Sequence, residues 1–272
     1  MVRSLWTAAS GMLAQQVNVD NIANNLANVS TTGYKTQKVQ FKNLLYQNLQ
    51  TETTSANNET KPTEAQVGLG VRSAAIQLLF KQGSFLETEG ITDFAISGDG
   101  FFAITDDFGK TLYTRNGNFY WAMNEQGGVT LTNSEGHPVM DTTGNPITFD
   151  KGYMTSKITI DSEGNFMYPD ETNNLRKTGK AIGLWQFQNP GGLNKEGNSN
   201  YSETAASGQA MNEISTAGIK RSTMVQGYLE GSNVQVADEM VNLITAQRAY
   251  ELNSRAITTT DTMMQQANNL RQ

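Results

Sequence analysis

The only histidine of the chain and its acidic turn residues are the side chains that could do chemistry. Imidazole serves as a general acid, a general base or a metal ligand. His137, however, stands in the turn sequence Glu-Gly-His-Pro of residues 135–138, which is typical of a solvated surface. Residues 161–165, Asp-Ser-Glu-Gly-Asn, resemble part of a calcium loop but lack its alternating ligands and its terminal glutamate. We predict a surface histidine and a hairpin turn, with no metal site and no cofactor.

Two further patterns have the residue types of a functional site but lack the secondary structure or the distinguishing neighbours that such a site requires. Residues 98–103, Gly-Asp-Gly-Phe-Phe-Ala, match a dinucleotide-binding spacing, but that motif must open a helix, and residues 101–105 predict a strand. We predict a hairpin there. A carboxylate pair such as Asp106 and Asp107, or Glu87 and Glu89, is what glycoside hydrolysis needs. Nothing in the sequence separates these residues from solvated turn residues, so no catalytic residue is predicted. A wall hydrolase on a β scaffold is the contrasting class of protein.

Composition excludes several other classes. The chain has 272 residues, a net charge of −6 and no cysteine. The acidic balance argues against a binder of nucleic acid, because phosphate backbones require a basic face. Without cysteine there are no disulfides and no thiolate metal sites. No stretch reaches the ~18 apolar residues of a spanning helix, and the N-terminus lacks the apolar core of a cleaved signal peptide. We expect a soluble protein that is not embedded in a membrane.

Apolar residues recur every seven positions near both ends of the chain. The N-terminal set is Leu5, Met12, Val19 and Leu26, with Ile22 on a neighbouring row. The C-terminal set is Val236, Leu243, Tyr250, Ile257 and Met264. A period of seven keeps one face of a helix toward a partner helix. The spacing predicts helices over residues 4–29 and 234–270.

The C-terminal stripe is poorly suited to a simple pair of helices. Its expected neighbours include Gln247, Ser254, Asp261 and Asn268, where a coiled coil favours leucine. A hairpin of two helices also buries little apolar surface against the entropy of roughly 60 ordered residues. We therefore predict that the helices pack against other copies of the chain. Pairing with each other in a monomer is the alternative.

Between the helices the period of the apolar residues changes to two. Strand-like runs are separated by turn signals, among them Asn116-Gly117, which predicts a hairpin. A short amphipathic stretch at residues 39–49 precedes a polar, turn-prone segment, and residues 190–223 are rich in glycine and serine and predict a loop-rich return path. The predicted fold class is α+β, with N- and C-terminal helices forming a coiled-coil-like domain and a central antiparallel β-rich domain.

Motifs at both ends and in the middle resemble the rod and hook proteins of the bacterial flagellum. They are the stretch 4–16 starting Ser-Leu-Trp-Thr-Ala-Ala-Ser-Gly-Met, Ile22 to Val29 with Asn24 and Asn25, Thr32-Gly33-Tyr34-Lys35, residues 98–102, Tyr113 to Gly117, Gly227 to Val234, and Glu239 to Glu251. The match is looser between residues 121 and 215. Within the family, the length and the polar segment after residues 44–47 most resemble distal-rod members, with proximal-rod and hook members as the alternatives.

The resemblance implies a fold in three parts. Residues 1–45 with 225–272 would form a terminal helical assembly domain, 46–66 an extended segment between subunits, and 67–224 a central β-rich domain. Asn24 and Asn25 would join the two stripes in the assembly interface. In this family the terminal helices are disordered in the free monomer and become ordered as subunits stack into concentric helical tubes.

The resemblance also implies a function and a place in the cell. The chain would be a structural subunit of the distal rod, transmitting motor torque to the hook across the periplasm and cell wall. Its partners would be further copies, other rod and hook proteins, the bushing rings around the rod, and the type III export apparatus. Members of the family cross that apparatus unfolded and without a cleaved signal, which suits a chain without disulfides.

Overall fold

A computed structural model describes residues 2–50, 65–124, 127–170, 174–216 and 218–270. Contacts divide the chain into two units. The helix unit comprises Met1–Ala27, Gln37–Leu78 and Gln235–Gln272, and the sheet unit comprises Asn28–Thr36 and Leu79–Val234. Residues 71–78 belong to the helix unit because they pair with a strand that follows the N-terminal helix, and the expected division into three parts stays a prediction. No described helix has the length and the apolar content needed to span a membrane.

The helix unit contains both long helices and four strands. They are α1 (Val2–Ala27), β1 (Gln37–Asn43), β2 (Tyr46–Gln50), β3 (Ala65–Gly68), β4 (Val71–Leu78) and α2 (Val236–Asn269). Helix α1 packs against α2 and against β1 and β4. Both helices were predicted from the period of seven, and their bounds differ from the predicted ones by two residues or fewer.

The strands of the helix unit form a two-stranded antiparallel ribbon. Strand β1 pairs with β4 and β2 with β3, and the amides of Leu44 and Leu69 continue the pairing between them. The predicted amphipathic stretch 39–49 therefore lies in strands β1 and β2. In β1, Val39 is buried while its neighbours point to solvent. In the predicted segment 46–66, the described ends belong to β2 and β3, and residues 51–64 lie outside the described part of the chain.

The sheet unit contains sixteen described strands. They are β5 (Phe85–Glu87), β6 (Phe94–Ser97), β7 (Phe101–Thr105), β8 (Thr111–Thr114), β9 (Tyr120–Met123), β10 (Val129–Thr132), β11 (Thr148–Phe149), β12 (Thr159–Ile160), β13 (Asn165–Pro169), β14 (Leu175–Ala181), β15 (Leu184–Gln186), β16 (Asn194–Gly197), β17 (Asn200–Ser202), β18 (Met211–Asn212), β19 (Thr223–Gln226) and β20 (Tyr228–Glu230). Every described pairing in both units is antiparallel, which confirms the predicted α+β class.

The largest sheet has six strands in the order β16-β17-β8-β7-β15-β18. Three-stranded sheets β11-β10-β9 and β12-β13-β14 and the pairs β19-β6 and β20-β5 complete the unit. The stretch 190–223, predicted as a loop-rich return path, contributes strands to the six-stranded sheet and to the β19-β6 pair. Its residues are polar, and their pairing with β8, β15 and β6 depends on distant segments that local periodicity does not reveal.

Two predicted hairpins connect strands of different sheets instead. The glycine pattern at residues 98–100 leads from β6, which pairs with β19, into β7, which pairs with β8 and β15. The strand predicted over residues 101–105, directly after the glycine pattern, is confirmed as β7. Asn116-Gly117 leads from β8 to β9, and at Gly117 an added Cβ would lie 1.7 Å from the carbonyl oxygen of Phe94. Glycine is needed there for close approach of the backbones. The turn at residues 161–165 is a hairpin between β12 and β13, as predicted.

The core of the sheet unit is apolar and rich in aromatic rings. Its members include Phe94, Ile96, Phe102, Ile104, Phe119, Leu131, Val139, Ile147, Phe166 and Ile182, each no more than 1% exposed. Phe102 and Phe119 meet edge to face with ring centroids 5.1 Å apart. Such packing is the preferred geometry for aromatic pairs and accounts for much of the area a β domain buries.

Tyr113 in β8 predicts a loss of stability at alkaline pH. Burial, with Glu203 as a second cause, raises the pKa of Tyr113 from 10.0 to about 12. The unfolded chain ionises first, so the stability held below pH 10.0 is lost as pH rises toward about 12. We expect the unfolding free energy of Tyr113→Phe to decline less steeply with pH in this window, by up to about 1.4 kcal/mol per pH unit. Denaturant unfolding measures it, with the exposed Tyr120→Phe as control; an unchanged slope in Tyr113→Phe would contradict the prediction.

Candidate assembly surface

One close approach and one hydrogen bond set the register of the terminal helices. An added Cβ at Gly11 of α1 would lie 2.9 Å from the side-chain nitrogen of Asn253 in α2. Fourteen residues further along α1, Asn25 shares a hydrogen bond with Glu239, which is fourteen residues earlier in α2. The helices are therefore antiparallel, and the register repeats over two heptads. Glycine at position 11 makes room for the asparagine side chain.

The row of α2 that carries these contacts holds Glu239, Ala246, Asn253 and Thr260, which are all buried or half-buried. Of the polar neighbours expected beside the stripe, Gln247, Asp261 and Asn268 are exposed and Ser254 is half-buried. In the single chain the row of Glu239, rather than these neighbours, faces α1, and a role for the neighbours between copies stays a prediction. The period of seven does not distinguish between two rows of α2 that are both partly polar. The row that contains Glu239 can face α1 because the Glu239 carboxyl group is hydrogen-bonded to Asn25.

The predicted interface residues have mixed exposure in the single chain. Leu5, Met12, Val19, Leu26, Leu243, Ile257 and Met264 are half-buried. Ile22 is buried at 4% exposure, whereas Val236 and Tyr250 are exposed. The chain thus uses most of the stripe at least in part for its own packing, and the α2 stripe remains open at its first residue, Val236, and at its middle residue, Tyr250.

The two asparagines of the N-terminal motif have different environments. Asn24 is exposed, whereas Asn25 is 1% exposed. The amide of Asn25 donates to the carbonyl oxygen of Gln37 at 2.8 Å and accepts the Gln37 amide at 3.0 Å, so that it fastens β1 to α1. Burial raises the pKa of Glu239, with the hydrogen bond to Asn25 opposing and the charge of Asp238 reinforcing that shift. Asn25 therefore holds the helix unit together from within.

Besides Met263, six large apolar side chains of the helices that lie off the stripe stay in solvent. This exposed apolar set comprises Trp6 and Leu13 of α1 and Met240, Val241, Ile244 and Leu252 of α2, with exposures between 51% and 72%. The period of seven does not reveal them, because they lie off the heptad stripe. The spacing of Trp6 and Leu13, seven residues apart, was the available signal.

Three charged residues of the sheet unit meet in its interior. Lys35 Nζ donates to Glu230 Oε1 at 2.6 Å, and Arg115 donates to Glu230 Oε2 at 3.3 Å. Their side chains are between 0% and 2% exposed. Lys35 also donates to the carbonyl oxygen of Lys81 and Arg115 to that of Gly98, each at 2.8 Å. We call Lys35, Arg115 and Glu230 the buried charge cluster.

The charges of this cluster depend on one another. Burial lowers the pKa of Lys35, and Glu230 opposes that shift. Burial likewise lowers the pKa of Arg115, opposed chiefly by Glu230. Glu230 Oε1 also accepts the amide of Gly83 at 2.9 Å, so that the carboxylate has three donors in all. A buried carboxylate with this many donors is satisfied, but its loss would leave two cations in a low dielectric.

Further bonds link the same motifs. Asn233 Oδ1 accepts both the amide and the hydroxyl of Thr36 at 2.7 Å, and its amide donates to the carbonyl oxygen of Leu79 at 2.8 Å. Thr32 donates to Asn116 at 3.0 Å, and Gly33 has a φ of +69°. The motifs around residues 35, 115 and 230, quoted separately from the sequence, therefore form one polar junction inside the sheet unit.

Of the histidine and acidic residues that could do chemistry, some lie side by side in the structure and others do not. His137 is a half-buried residue with a 12% exposed side chain, which corrects the predicted solvated histidine. The β7–β8 turn places Asp106 and Asp107 beside it, at 3.3 and 3.7 Å from Nε2. Glu87 and Glu89 remain exposed, away from this group. The histidine is covered because β7 binds the turn that follows β10 through the amide of Thr105 and the carbonyl oxygen of Pro138.

Three family models match the chain over the regions just described. Residues 5–35 match "Flagella basal body rod protein", residues 95–168 match "Flagellar hook protein FlgE/F/G D1 domain", and residues 225–270 match "Flagellar basal body rod FlgEFG protein C-terminal". The first and last models cover α1 and α2 with the adjoining motifs, and the middle model covers β7 to β12 within the sheet unit. The matched regions also contain the residues of the buried charge cluster.

Curated relatives match over the whole length. The chain is 44% identical to the flagellar basal-body rod protein FlgG of Borreliella burgdorferi over 100% of this chain and 99% of the relative. It is 38% identical to the FlgG protein of Caulobacter vibrioides over 99% and 100%, and 34% identical to that of Bacillus subtilis over 100% of both. The chain therefore belongs to the family of flagellar basal-body rod proteins.

Proposed function

We propose that this chain is a structural subunit of the flagellar distal rod, and that copies assemble through their terminal helices into a helical tube that carries torque to the hook. The proposal extends the family membership and the naming of full-length relatives as basal-body rod proteins. It assigns no catalytic role, because a rod subunit acts through its contacts. Both predicted stripes, Asn24 and the exposed apolar set would contribute to the interface between subunits.

One observation carries the assembly proposal. Helix α2 has 34 residues, of which the single chain buries two, Glu239 and Ala246. A helix of this kind draws most of its stability from packing, since propensity alone is marginal in water. The apolar residues that α2 leaves in solvent, such as Val241 and Ile244, are the surface that neighbouring subunits would cover. In such a tube the helices would make coiled-coil-like contacts with neighbours.

The position within the axial structure follows from the relatives. The relatives matched over the whole chain include several named for the rod protein FlgG and one named the flagellar hook-basal body complex protein FlhP, and two family models are named for FlgE, F and G together. A proximal-rod or hook position is the alternative. A reconstruction of isolated basal bodies at side-chain resolution decides between them, because α2 and the segment 46–66 must fit the density of one rod segment and no other.

The location and the partners belong to the same proposal. A rod subunit works where the rod crosses the periplasm and the cell wall, beside other rod and hook proteins and inside the bushing rings. It would reach that place through the type III export apparatus, unfolded and without a cleaved signal. The absence of cysteine from the chain suits this route, because no disulfide has to be broken or formed during passage.

Assembly-coupled ordering of the helices makes a spectroscopic prediction. We expect dilute monomer to show much less helix by far-UV circular dichroism than the 26 residues of α1 and the 34 of α2 would give together. Helix signal should increase when the subunits polymerise, because neighbouring copies then cover α2. The sheet unit provides the internal control, since its near-UV aromatic signal should be the same in both states. Full helicity in dilute monomer would contradict coupled ordering.

The contrasting reading, a hydrolase, has its own test. Purified chain would be incubated with peptidoglycan, and Asp106→Asn and Glu87→Gln variants would be compared with it. Cleavage that disappears in one of these variants would favour an enzyme. We expect none, because nothing in this structural role requires bond cleavage.

A further inference from the structure

The surroundings of His137 are fixed by the backbone of two turns. The amide of Thr105 donates to the carbonyl oxygen of Pro138 at 3.0 Å, and Ile104 forms a β-bridge with Val139. Within the second turn, the amide of His137 donates to Asn133 Oδ1 at 2.9 Å. The turn after β7, which carries Asp106 and Asp107, is thereby held against the turn that carries the imidazole. The side chains of Asp106, Asp107 and His137 therefore lie on two turns that backbone hydrogen bonds hold together.

The distances between the possible ligand atoms suit a small divalent ion. His137 Nε2 lies 3.3 Å from Asp106 Oδ1 and 3.7 Å from Asp107 Oδ1, and one atom from each of the three residues lies within 4.8 Å of the others. In a tetrahedral site with bonds of about 2.0 Å, neighbouring ligand atoms are about 3.3 Å apart. The two distances from the imidazole are therefore close to the edges of a zinc tetrahedron, and the two carboxylate atoms lie no more than 4.8 Å apart.

The other ring nitrogen gives an independent indication. His137 Nδ1 is buried and makes no hydrogen bond within the described structure. Glu135 Oε2 stands 3.5 Å from it, a short movement from a hydrogen bond. Asn198 and Asn200 donate to this carboxylate and hold it in place. A carboxylate behind Nδ1 fixes the tautomer in which Nε2 is free to bind a metal, as in carboxylate–histidine–zinc arrangements.

We infer that His137, Asp106 and Asp107 bind a divalent transition-metal ion of the zinc type, with Glu135 as the positioning residue behind the imidazole. Two carboxylates and a neutral imidazole balance the charge of such an ion. The nearby cation Lys110 is turned toward Glu196 at 2.9 Å and leaves the site to the metal. Asp107 is 85% exposed, so the ion can enter from solvent and keep water as its fourth ligand. Bound metal would cross-link the two turns on the surface of the sheet unit.

Titration of the full-length chain with zinc tests the inference. The protein must lack a polyhistidine tag, because His137 would then be the only histidine in the sample. We expect saturable binding of one zinc ion by calorimetry, and a shift of the single Nε2 resonance in imidazole nitrogen NMR. Asp107→Asn, at an exposed position, should fold normally and weaken binding at least tenfold, and His137→Ala should abolish it. Glu135→Gln should weaken binding by about 10- to 100-fold, with one ion still bound.

The matched control is Glu163→Gln, an exposed carboxylate in the turn between β12 and β13. It should bind zinc like the natural chain, and magnesium should not compete. The inference would be overturned by an absence of saturable zinc binding, by binding that leaves the Nε2 resonance unmoved, or by an Asp107→Asn variant that binds as tightly as the natural chain. The test is independent of assembly, so its failure would leave the proposed rod function in place.

Discussion

Replacing Glu230 with alanine should cost the sheet unit about 3–5 kcal/mol of unfolding free energy. The substitution leaves Lys35 and Arg115 buried without their shared carboxylate, and it also removes the acceptor of the Gly83 amide. Breaking one partner of a buried ion pair is costly because the remaining charge stays desolvated. Denaturant unfolding followed by aromatic fluorescence measures the loss, since tryptophans of the sheet unit report on its core.

A matched control separates this effect from the general loss of a glutamate. Glu163→Ala removes a carboxylate that is 71% exposed and lies 3.6 Å from Lys177 at the surface. We expect that variant to stay within about 0.5 kcal/mol of the natural chain. A Glu230→Ala variant that is equally unaffected would mean that the cluster contributes nothing to stability, against the geometry described above.

Introducing a charge at Ile244 should abolish rod assembly while leaving the sheet unit of the monomer folded. Ile244 is 55% exposed in the single chain, so Ile244→Asp disturbs little in the monomer. In an assembled tube the same carboxylate would be buried without a partner, at a cost of several kcal/mol in every subunit. Swimming in soft agar and electron microscopy of isolated basal bodies measure the outcome.

Gln247→Asp is the matched control, because it adds the same charge to an exposed polar position one turn along α2. It should assemble far better than Ile244→Asp. Leu243→Asp and Leu26→Asp alter half-buried residues of the stripe, so we expect them to weaken the pairing of α1 with α2 as well as assembly. Normal motility of Ile244→Asp would remove the exposed apolar set from the interface.

Local pattern was sufficient wherever neighbouring residues determine the structure. The period of seven located α1 and α2 because a helix repeats its faces over a few turns, and alternation located most strands. The turn at residues 161–165 formed as predicted, since its residues favour a tight hairpin by themselves. The motifs that resemble rod and hook proteins identified the family from the sequence, and the relatives confirm it.

Local pattern does not reveal which strands pair when they are far apart in the sequence. Asn116-Gly117 has the local chemistry of a hairpin, yet β8 and β9 join different sheets, because β9 finds a better partner in β10. Strand β1 was hidden in an amphipathic stretch whose one buried residue, Val39, is covered once β1 pairs with β4. A half-buried histidine was mistaken for a solvated one for the same reason, since its cover comes from another turn.

The sequence by itself determined two terminal helices, a β-rich centre, an acidic chain without cysteine, and membership of a family of flagellar rod proteins. Only the tertiary structure decided which row of α2 faces α1 and which charged residues are interior. Lys35 and Arg115 lie 195 and 115 positions from Glu230, and charged side chains are ordinarily exposed. Their burial depends on a partner being present at the same place in the fold, and sequence spacing carries no information about that place.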